Sequence, residues 1–315
     1  MILKLSNIKV AVIGAGQVGA TCAQRILERR LADCVLIDLV EGLAQGKALD
    51  LGQAAAIEGY DLSITGGADY SLIKDSKVVI VTAGLARKPG MTREDLLIQN
   101  ANIVKGIVEK IKTYCPESII IMVTNPLDVM AYLAYKISGF NKERVFGMAG
   151  VLDSARFRFF IAQVLKVSPV DIETLVLGGH GDSMVPLVKY TKVEDRPITE
   201  MLSKEELDNV VKRTRDGGAE IVSLLKTSSA YYAPSSAVCE MLESVLNDRK
   251  QLLPVSAYLD GEYGLKDVYC GVPVRLGKGG VEKIVELKLS DDELSALRKS
   301  AAEVKDGIES LKNFF

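Results

Sequence analysis

The feature that most restricts the fold of this chain is a glycine-rich turn near its amino terminus. The turn has the spacing Gly-x-Gly-x-x-Gly and consists of Gly14, Ala15, Gly16, Gln17, Val18 and Gly19. It follows the apolar run Lys9–Ile13 and leads directly into a helical pattern. In this context the first glycine permits a tight turn, the second lets the backbone approach a pyrophosphate, and the third lets the helix pack closely on the strand. Because the first N–H groups of a helix also bind phosphates, the turn predicts a dinucleotide site.

An acidic residue follows at the distance that such a site requires. The next predicted strand, residues 34–37, ends at Asp38, nineteen residues after Gly19. A carboxylate there accepts hydrogen bonds from an adenosine ribose and repels a 2′-phosphate. Leu39 follows where an NADP-binding protein can offer an arginine, so the pattern favours NAD. The alternative is a purely structural turn in which Asp38 caps the second strand.

The first half of the chain alternates short apolar runs with longer helical patterns. The apolar runs, typical of parallel strands buried on both faces, are residues 9–13, 34–37, 77–81 and 118–123. The helical segments between them include residues 18–30, 46–56 and 94–112. This rhythm predicts a Rossmann-type, doubly wound parallel sheet of the α/β class over residues 1–147.

Beyond Gly147 the pattern changes to helices mixed with hairpin-like strands. The predicted helices are residues 151–165, 203–226, 231–246 and 291–312. A short strand is expected at residues 174–177, and a pair of strands at residues 252–259 and 268–276. The mixture predicts a second, α+β substrate domain over residues 148–315.

Charge, apolar runs and cysteine spacing exclude several classes of protein. Lys and Arg number 39 against 41 Asp and Glu, and the resulting net charge of −2 provides no general attraction to nucleic acid or anionic lipid. Apolar stretches such as residues 119–123 are far below the roughly 20 residues of a membrane helix. The five cysteines lack any Cys-x-x-Cys spacing, and the amino terminus lacks a signal-peptide pattern. We therefore expect a cytoplasmic protein with no metal site and no nucleic-acid or membrane partner.

The candidate for chemistry is the single histidine, His180, which lies in Gly-Gly-His-Gly-Asp at residues 178–182. Glycines on both sides leave space for a substrate, and the pKa of imidazole suits a general acid or base. Such a base works best when a carboxylate fixes one ring nitrogen, and Asp153 is the candidate partner. Asp153 and Arg156 have the i, i+3 spacing that places both on one helix face. A structural histidine, and a surface salt bridge between Asp153 and Arg156, are the alternatives.

Two further segments are expected to face the same cleft. Residues 123–126, Val-Thr-Asn-Pro, end a predicted strand, and ligands of open α/β sheets gather at the carboxyl ends of strands. The loop at residues 84–93 carries Arg87 and Arg93 and has the glycines and proline of a mobile lid. Arginine is well suited to gripping carboxylates because its planar fork pairs with both oxygens. A turn dipeptide at Asn125 and an ordinary basic surface loop remain the alternatives.

Taken together, six motifs stand in a fixed order. They are the glycine-rich turn, Asp38, Ala-Arg-Lys-Pro-Gly-Met-x-Arg at 86–93, Val-Thr-Asn-Pro-Leu-Asp at 123–128, Leu-Asp-Ser-Ala-Arg at 152–156 and Gly-Gly-His-Gly-Asp at 178–182. In these motifs the chain resembles the lactate/malate dehydrogenase family, and within it the lactate-dehydrogenase-like group of malate dehydrogenases. The likeness covers nearly the whole chain.

The resemblance implies an NAD-dependent oxidation of (S)-malate to oxaloacetate. It implies that His180 accepts the hydroxyl proton and that Asp153 orients the imidazole. Arg156 would bind the carboxylate next to the reacting carbon, and Arg93 would polarise the carbonyl. Arg87 would bind the second carboxylate of the dicarboxylate substrate, where lactate dehydrogenases usually have glutamine.

The resemblance also implies a cofactor site and an assembly. Asn125 would contact both the substrate and the nicotinamide side, and Asn100 the cofactor. The expected NAD contacts are Gly14, Ala15, Gly16, Gln17, Val18, Gly19, Asp38, Asn100, Val123, Thr124 and Asn125. Family members are commonly dimers or tetramers, so a homodimer or homotetramer is expected. Residues 226–230 fall where the family has a small hydroxyl residue, but one sequence does not fix their register, and they are not assigned to the site.

The charge at Arg87 separates malate from lactate. A lactate methyl would leave an enclosed Arg87 without a partner, at a cost of about 2 to 5 kcal/mol, or about thirty- to several-thousand-fold in selectivity. A lactate or other 2-hydroxy-acid dehydrogenase is the alternative enzyme. An NAD-dependent glycosidase would need histidine and cysteine metal ligands, which a single histidine supplies poorly. A catalytically silent NAD-binding protein is the alternative from another class.

Overall fold

The computed structural model describes residues 8–85 and 92–315. The strands of these residues, β1 to β14 in chain order, are Lys9–Ile13, Asp33–Ile37, Ile64–Gly67, Val78–Val81, Ile119–Met122, Val145–Gly147, Ile172–Glu173, Val176–Leu177, Val185–Pro186, Lys192–Val193, Arg196–Pro197, Gln251–Asp260, Lys266–Gly277 and Gly280–Ile284. The α-helices, α1 to α8, are Gln17–Glu28, Leu43–Glu58, Arg93–Tyr114, Leu127–Ser138, Gly150–Leu165, Lys204–Leu225, Tyr232–Leu246 and Asp291–Glu309. No helix in the described parts of the chain is long and apolar enough to cross a membrane.

Nine strands form one mixed sheet, in the order β14-β13-β12-β6-β5-β4-β1-β2-β3. The neighbours from β3 to β6 are all parallel. The direction of winding reverses beside β1, and in such sheets ligands bind at the carboxyl edge next to the reversal. The prediction of a Rossmann-type, doubly wound α/β fold is confirmed.

The central strands are apolar along their whole length because both faces of the sheet are covered. Every residue of Val78–Val81 and Ile119–Met122 is buried, as are Val10, Ala11, Val12 and Ile13. Helices pack on this sheet, so these central positions do not face water and the sequence shows continuous rather than alternating apolar runs. The three strands were therefore predicted to within about one residue at each end.

The second half of the chain extends the same sheet. β12 and β13 pair antiparallel over almost their full length, which confirms the predicted pair of strands. β12 then joins β6 through the pairing of Ser256 with Gly147. Apolar residues of both halves form one large core cluster, and a second, smaller cluster lies within the second half. The boundary predicted at residues 147 and 148 falls between β6 and α5, and it stays a prediction.

Some predicted elements differ from the structure. The strand predicted at residues 174–177 is wrong at its start, because β7 ends at Glu173 and pairs with β10, whereas β8 pairs with β9. The last helix ends at Glu309, and Lys312–Phe314 forms a separate 3-10 turn. β3 and β6 were missed because β3 ends in two glycines and β6 has only three residues, which is too short to show a period.

A buried tyrosine ties the added hairpin to the parallel sheet. Tyr269 of β13 is fully buried, and its hydroxyl donates to the Val145 carbonyl of β6 at 2.9 Å. Because Tyr269→Phe removes the donor from a buried carbonyl, we expect the free energy of unfolding to fall by about 1 to 3 kcal/mol in urea titrations. Tyr232→Phe, at a residue that is 64% exposed, is the control and should change it by less than about 0.5 kcal/mol. Equal stabilities of the two variants would contradict this role.

Candidate active site

The glycine-rich turn joins β1 to α1 and leaves open space beside one of its glycines. Gly14 has a φ of +107°, and a Cβ there would lie 2.7 Å from both Ala83 N and Thr82 Oγ1. A Cβ on Gly19 would overlap the Gly14 carbonyl, so only glycine permits this packing. Among the described residues, nothing lies within 4 Å of the Cβ position of Gly16. The turn therefore fits a pyrophosphate close to the backbone.

Two charged side chains hold the peptide groups of Ala15. Asp38 Oδ2 accepts a hydrogen bond from the Ala15 N–H at 2.7 Å, and Lys47 Nζ of α2 donates to the Ala15 carbonyl at 2.6 Å. The Asp38 carboxylate is half-buried at the end of β2 and has lone pairs left to accept from ribose hydroxyls. Lys47 was missed because the sequence does not indicate which group the ammonium of a lysine within a helix contacts.

The helix after the turn presents the other predicted cofactor residues. Gln17 is exposed in the first turn of α1, and Val18 lines a cavity of about 500 Å³. Val123 and Thr124 line the same cavity at the carboxyl end of β5. The first N–H groups of α1 point out of the helix at this edge, where they suit an anion.

The single histidine lies in the turn after β8 and is paired with a buried carboxylate. His180 Nδ1 is 2.9 Å from Oδ2 of Asp153, which is on α5 and 2% exposed. Burial alone would lower the pKa of His180, but the Asp153 carboxylate raises it, and the net pKa lies above the ordinary value of 6.5. Because Nδ1 is engaged, Nε2 is the nitrogen that can exchange a proton with a ligand.

Arg156 lies one helical turn after Asp153 and shares its carboxylate. Arg156 NH1 is 3.3 Å from Asp153 Oδ1, and the side chain is 15% exposed. A Cβ on Gly217 would lie 3.2 Å from the Phe160 ring and 3.7 Å from Arg156 Cδ, and one on Gly218 would lie 3.5 Å from NH2. These two glycines of α6 pack beside Arg156 and were missed, since a glycine pair inside a helix does not reveal which side chain it contacts. A partly buried guanidinium of this kind can bind a carboxylate.

Two cavities meet at the histidine. The cavity of about 500 Å³ is lined by Arg156, and a second one of about 680 Å³ is lined by Arg93. Asn125 and His180 line both. The structure therefore brings four predicted site residues to one cleft. Ser229 also lines the smaller cavity, so the unassigned stretch at residues 226–230 reaches the cleft as well.

Of the two predicted lid arginines, only Arg93 is among the described residues. Arg93 is exposed and is the first residue of α3, whose start is fixed by a capping box of Thr92 and Asp95. Arg87 lies outside the described residues. Its predicted contact with a second carboxylate therefore stays a prediction.

Asn100 is buried, and its amide is bonded to backbone groups. Asn100 Oδ1 accepts from the Leu85 N–H at 2.7 Å, and Nδ2 donates to the Leu85 and Asn125 carbonyls at 3.2 and 2.7 Å. Thr124 Oγ1 adds a bond to the Ala83 carbonyl at 2.7 Å. These bonds tie the chain before the predicted lid to the Asn125 segment. The predicted contact of Asn100 with the cofactor stays a prediction.

None of the cysteines lines either of the two cavities at the histidine. All five are buried and free. Cys22 of α1 and Cys239 of α7 face each other where these helices pack, and Cys239 Sγ lies 3.9 Å from the Cys22 carbonyl oxygen. Within residues 8–85 and 92–315, no three His, Cys, Asp or Glu side chains come together as metal ligands.

Comparisons with known proteins agree on one family. Residues 8–147 match the lactate/malate dehydrogenase NAD binding domain, and residues 150–315 match the lactate/malate dehydrogenase alpha/beta C-terminal domain. The malate dehydrogenase of Chlorobium limicola is 57% identical over 305 residues, which cover 96% of this chain and 98% of that protein. The apo structure of malate dehydrogenase from Picrophilus torridus has a TM-score of 0.96 at 49% identity, covering 98% and 99% of the two chains. A Cryptosporidium parvum lactate dehydrogenase, complexed with lactic acid and nicotinamide adenine dinucleotide, has a TM-score of 0.94 at 42% identity, covering 99% of each chain.

Because the chain has one histidine, the influence of Asp153 can be measured directly. We expect the imidazole NMR signal of the free protein to titrate above pH 6.5. Asp153→Asn removes the charge that raises this pKa but leaves the ring buried, so its pKa should fall below that of the original protein. Asp182→Asn, at an exposed neighbour in the same turn, is the matched control and should change it little. An unchanged pKa in Asp153→Asn would contradict the assignment.

Proposed function

We propose that this chain, which belongs to the lactate/malate dehydrogenase family, is an NAD-dependent malate dehydrogenase that interconverts (S)-malate and oxaloacetate. The observation that carries the proposal is the buried pair of Asp153 and His180, in a cleft shared with Arg156 and Asn125. Relatives named malate dehydrogenase, 53 to 57% identical over nearly the full length, support the choice of substrate.

In this proposal residues 1–147 bind the cofactor and residues 148–315 form the substrate domain. The open backbone at Gly16, the first turn of α1 and the Asp38 carboxylate suit the pyrophosphate and ribose of NAD. Gly14, Ala15, Gln17, Val18, Gly19, Asn100, Val123, Thr124 and Asn125 complete the assigned cofactor contacts. Bound NAD supplies the chemistry of accepting a hydride from C2 of malate.

The side chains of the cleft bind the substrate, accept its proton and stabilise the developing charge. Neutral His180 takes the C2 hydroxyl proton at Nε2, and Asp153 stabilises the resulting imidazolium at Nδ1. Arg156 holds the carboxylate next to C2, which fixes the reacting carbon. Arg93 stabilises the negative charge that develops on the C2 oxygen. Asn125 contacts the substrate from the cofactor side.

Selection of the four-carbon diacid falls to Arg87, with its guanidinium on the second carboxylate. The similarity to lactate dehydrogenases as well as malate dehydrogenases means that the fold alone does not choose between the substrates. The choice between malate and lactate depends on a charged partner for the second carboxylate, because a lactate methyl cannot neutralise an enclosed guanidinium.

We further propose a cytoplasmic homo-oligomer, a dimer or tetramer, that acts in the tricarboxylic acid cycle. The exposed apolar side chains of Leu49 and Ile57 on α2, and of Leu224 on α6, support subunit contacts. Five free cysteines suit a reducing compartment.

The substrate assignment is tested by NADH oxidation with paired 2-oxo acids. We expect kcat/KM for oxaloacetate to exceed that for pyruvate by about thirty- to several-thousand-fold. Arg87→Gln should shift the preference toward pyruvate, whereas Lys88→Gln, at the neighbouring lysine, should keep the preference for oxaloacetate.

His180→Asn should abolish turnover while NADH still binds. Equal use of both acids by the unmodified protein would refute the proposed substrate.

The pH dependence should have opposite signs in the two directions. Malate oxidation needs the neutral imidazole, so its kcat/KM should rise as the pH increases through the pKa of His180. Oxaloacetate reduction needs the imidazolium, so its kcat/KM should fall over the same range. Because Asp153 raises this pKa, both transitions should lie above pH 6.5 and move to lower pH in Asp153→Asn. Initial rates in both directions measure this, and profiles with the same sign would contradict the assigned role of His180.

A further inference from the structure

A second buried carboxylate contacts the backbone of His180. Asp128 is on α4, three residues after Asn125, and is 4% exposed. Asp128 Oδ2 accepts a hydrogen bond from the His180 N–H at 2.8 Å. Its other oxygen, Oδ1, accepts from the Ser256 hydroxyl of β12 at 2.6 Å. Asp153 therefore fixes the ring of the histidine, whereas Asp128 holds the peptide from which the ring extends.

Asp128 connects elements that carry different parts of the chemistry. Helix α4 begins directly after Asn125 and Pro126, so the carboxylate moves with the segment that lines both cavities. His180 belongs to the second half of the chain. A bond between the two therefore sets the separation of the imidazole from Asn125.

The neighbouring N–H of the same turn is also held by a side chain. The Gly179 N–H donates to Ser300 Oγ of α8 at 2.7 Å, and Ser300 Oγ lies 3.0 Å from Ser183 Oγ. Two successive N–H groups of a glycine-rich turn are thus fixed by side chains from α8 and α4. Such turns have few contacts of their own, so anchors of this kind determine where the histidine stands.

We propose that Asp128 is a positioning residue for His180. By accepting the hydrogen bond from the His180 N–H, Asp128 fixes the distance between the imidazole and the substrate. The inference rests on the proposed function of His180. A displacement of about 1 Å in a reacting group can cost about 100-fold in rate, so the anchor should act on kcat more than on binding.

Several charged groups surround the imidazole. Asp153 and Arg156 act on the ring from α5, and Asp128 acts on it from α4. Asp128 lines the larger cavity with His180, Arg215 of α6 lines the smaller one, and Asp182 lines both. Burial raises the pKa of Asp128, while the Ser256 hydroxyl and the His180 N–H oppose that rise by bonding to the carboxylate. Both of its donors favour the ionised form, which has no proton of its own to donate.

The test compares Asp128→Ala and Ser256→Ala with matched controls. Asp33→Ala removes a carboxylate that also accepts a backbone N–H, and Ser244→Ala removes a buried hydroxyl that donates to a backbone carbonyl. We expect Asp128→Ala, which leaves the His180 N–H without its acceptor, to lower kcat for oxaloacetate by about 10- to 100-fold, with the KM and the NADH-binding stoichiometry close to those of the original protein. Ser256→Ala should lower kcat by less than about tenfold, because the His180 N–H keeps its acceptor. The controls should leave kcat unchanged.

A readout independent of activity accompanies the kinetics. The amide proton of His180 should lose its downfield NMR shift in Asp128→Ala and keep most of it in Ser256→Ala. A kcat within twofold of the original in Asp128→Ala would overturn the proposal. So would a loss of kcat that merely follows a loss of NADH-binding stoichiometry. If the original protein itself failed to reduce oxaloacetate, the proposed function would fall, and the amide shift would still decide whether Asp128 anchors the turn.

Discussion

The hydrogen bond between the Asp153 carboxylate and the His180 imidazole is the interaction on which the rest of the cleft depends. A buried carboxylate is costly unless it is paired, and Asp153 meets this cost with the His180 ring on one oxygen and the Arg156 guanidinium on the other. One carboxylate therefore orients both the proton acceptor and the cation assigned to the substrate. Since α5 supplies Asp153 and the turn after β8 supplies His180, the packing of α5 sets the geometry of the reaction.

That packing depends on a sheet that runs through both halves of the chain. Ser256 pairs with Gly147 at the junction of β12 and β6, and its side chain reaches Asp128. Further along the hairpin, Gly178 and Gly271 exchange backbone hydrogen bonds of 2.9 and 3.1 Å, which fix the start of the His180 turn. The sheet whose strand β1 leads into the glycine-rich turn thus also supports the histidine turn.

Local signals in the sequence were enough for the glycine-rich turn between β1 and α1 and for much of the fold. The glycine-rich turn, the strand before it and the i, i+3 pair of Asp153 and Arg156 each involve residues close in sequence. The contacts that were missed join distant residues and leave no period. Ser256 is 128 residues from Asp128, and the glycines beside Arg156 lie in another helix. Asp153 was predicted as the partner of His180 from helix geometry and from the family resemblance, and the structure puts Asp153 on the ring.

A crystal structure with NADH and a dicarboxylate competitive with oxaloacetate would show the proposed site directly. We expect His180 Nε2 within hydrogen-bonding distance of the oxygen on C2, with one carboxylate on Arg156 and the other on Arg87. An imidazole far from the nicotinamide, or an Arg87 guanidinium turned into bulk solvent, would contradict it.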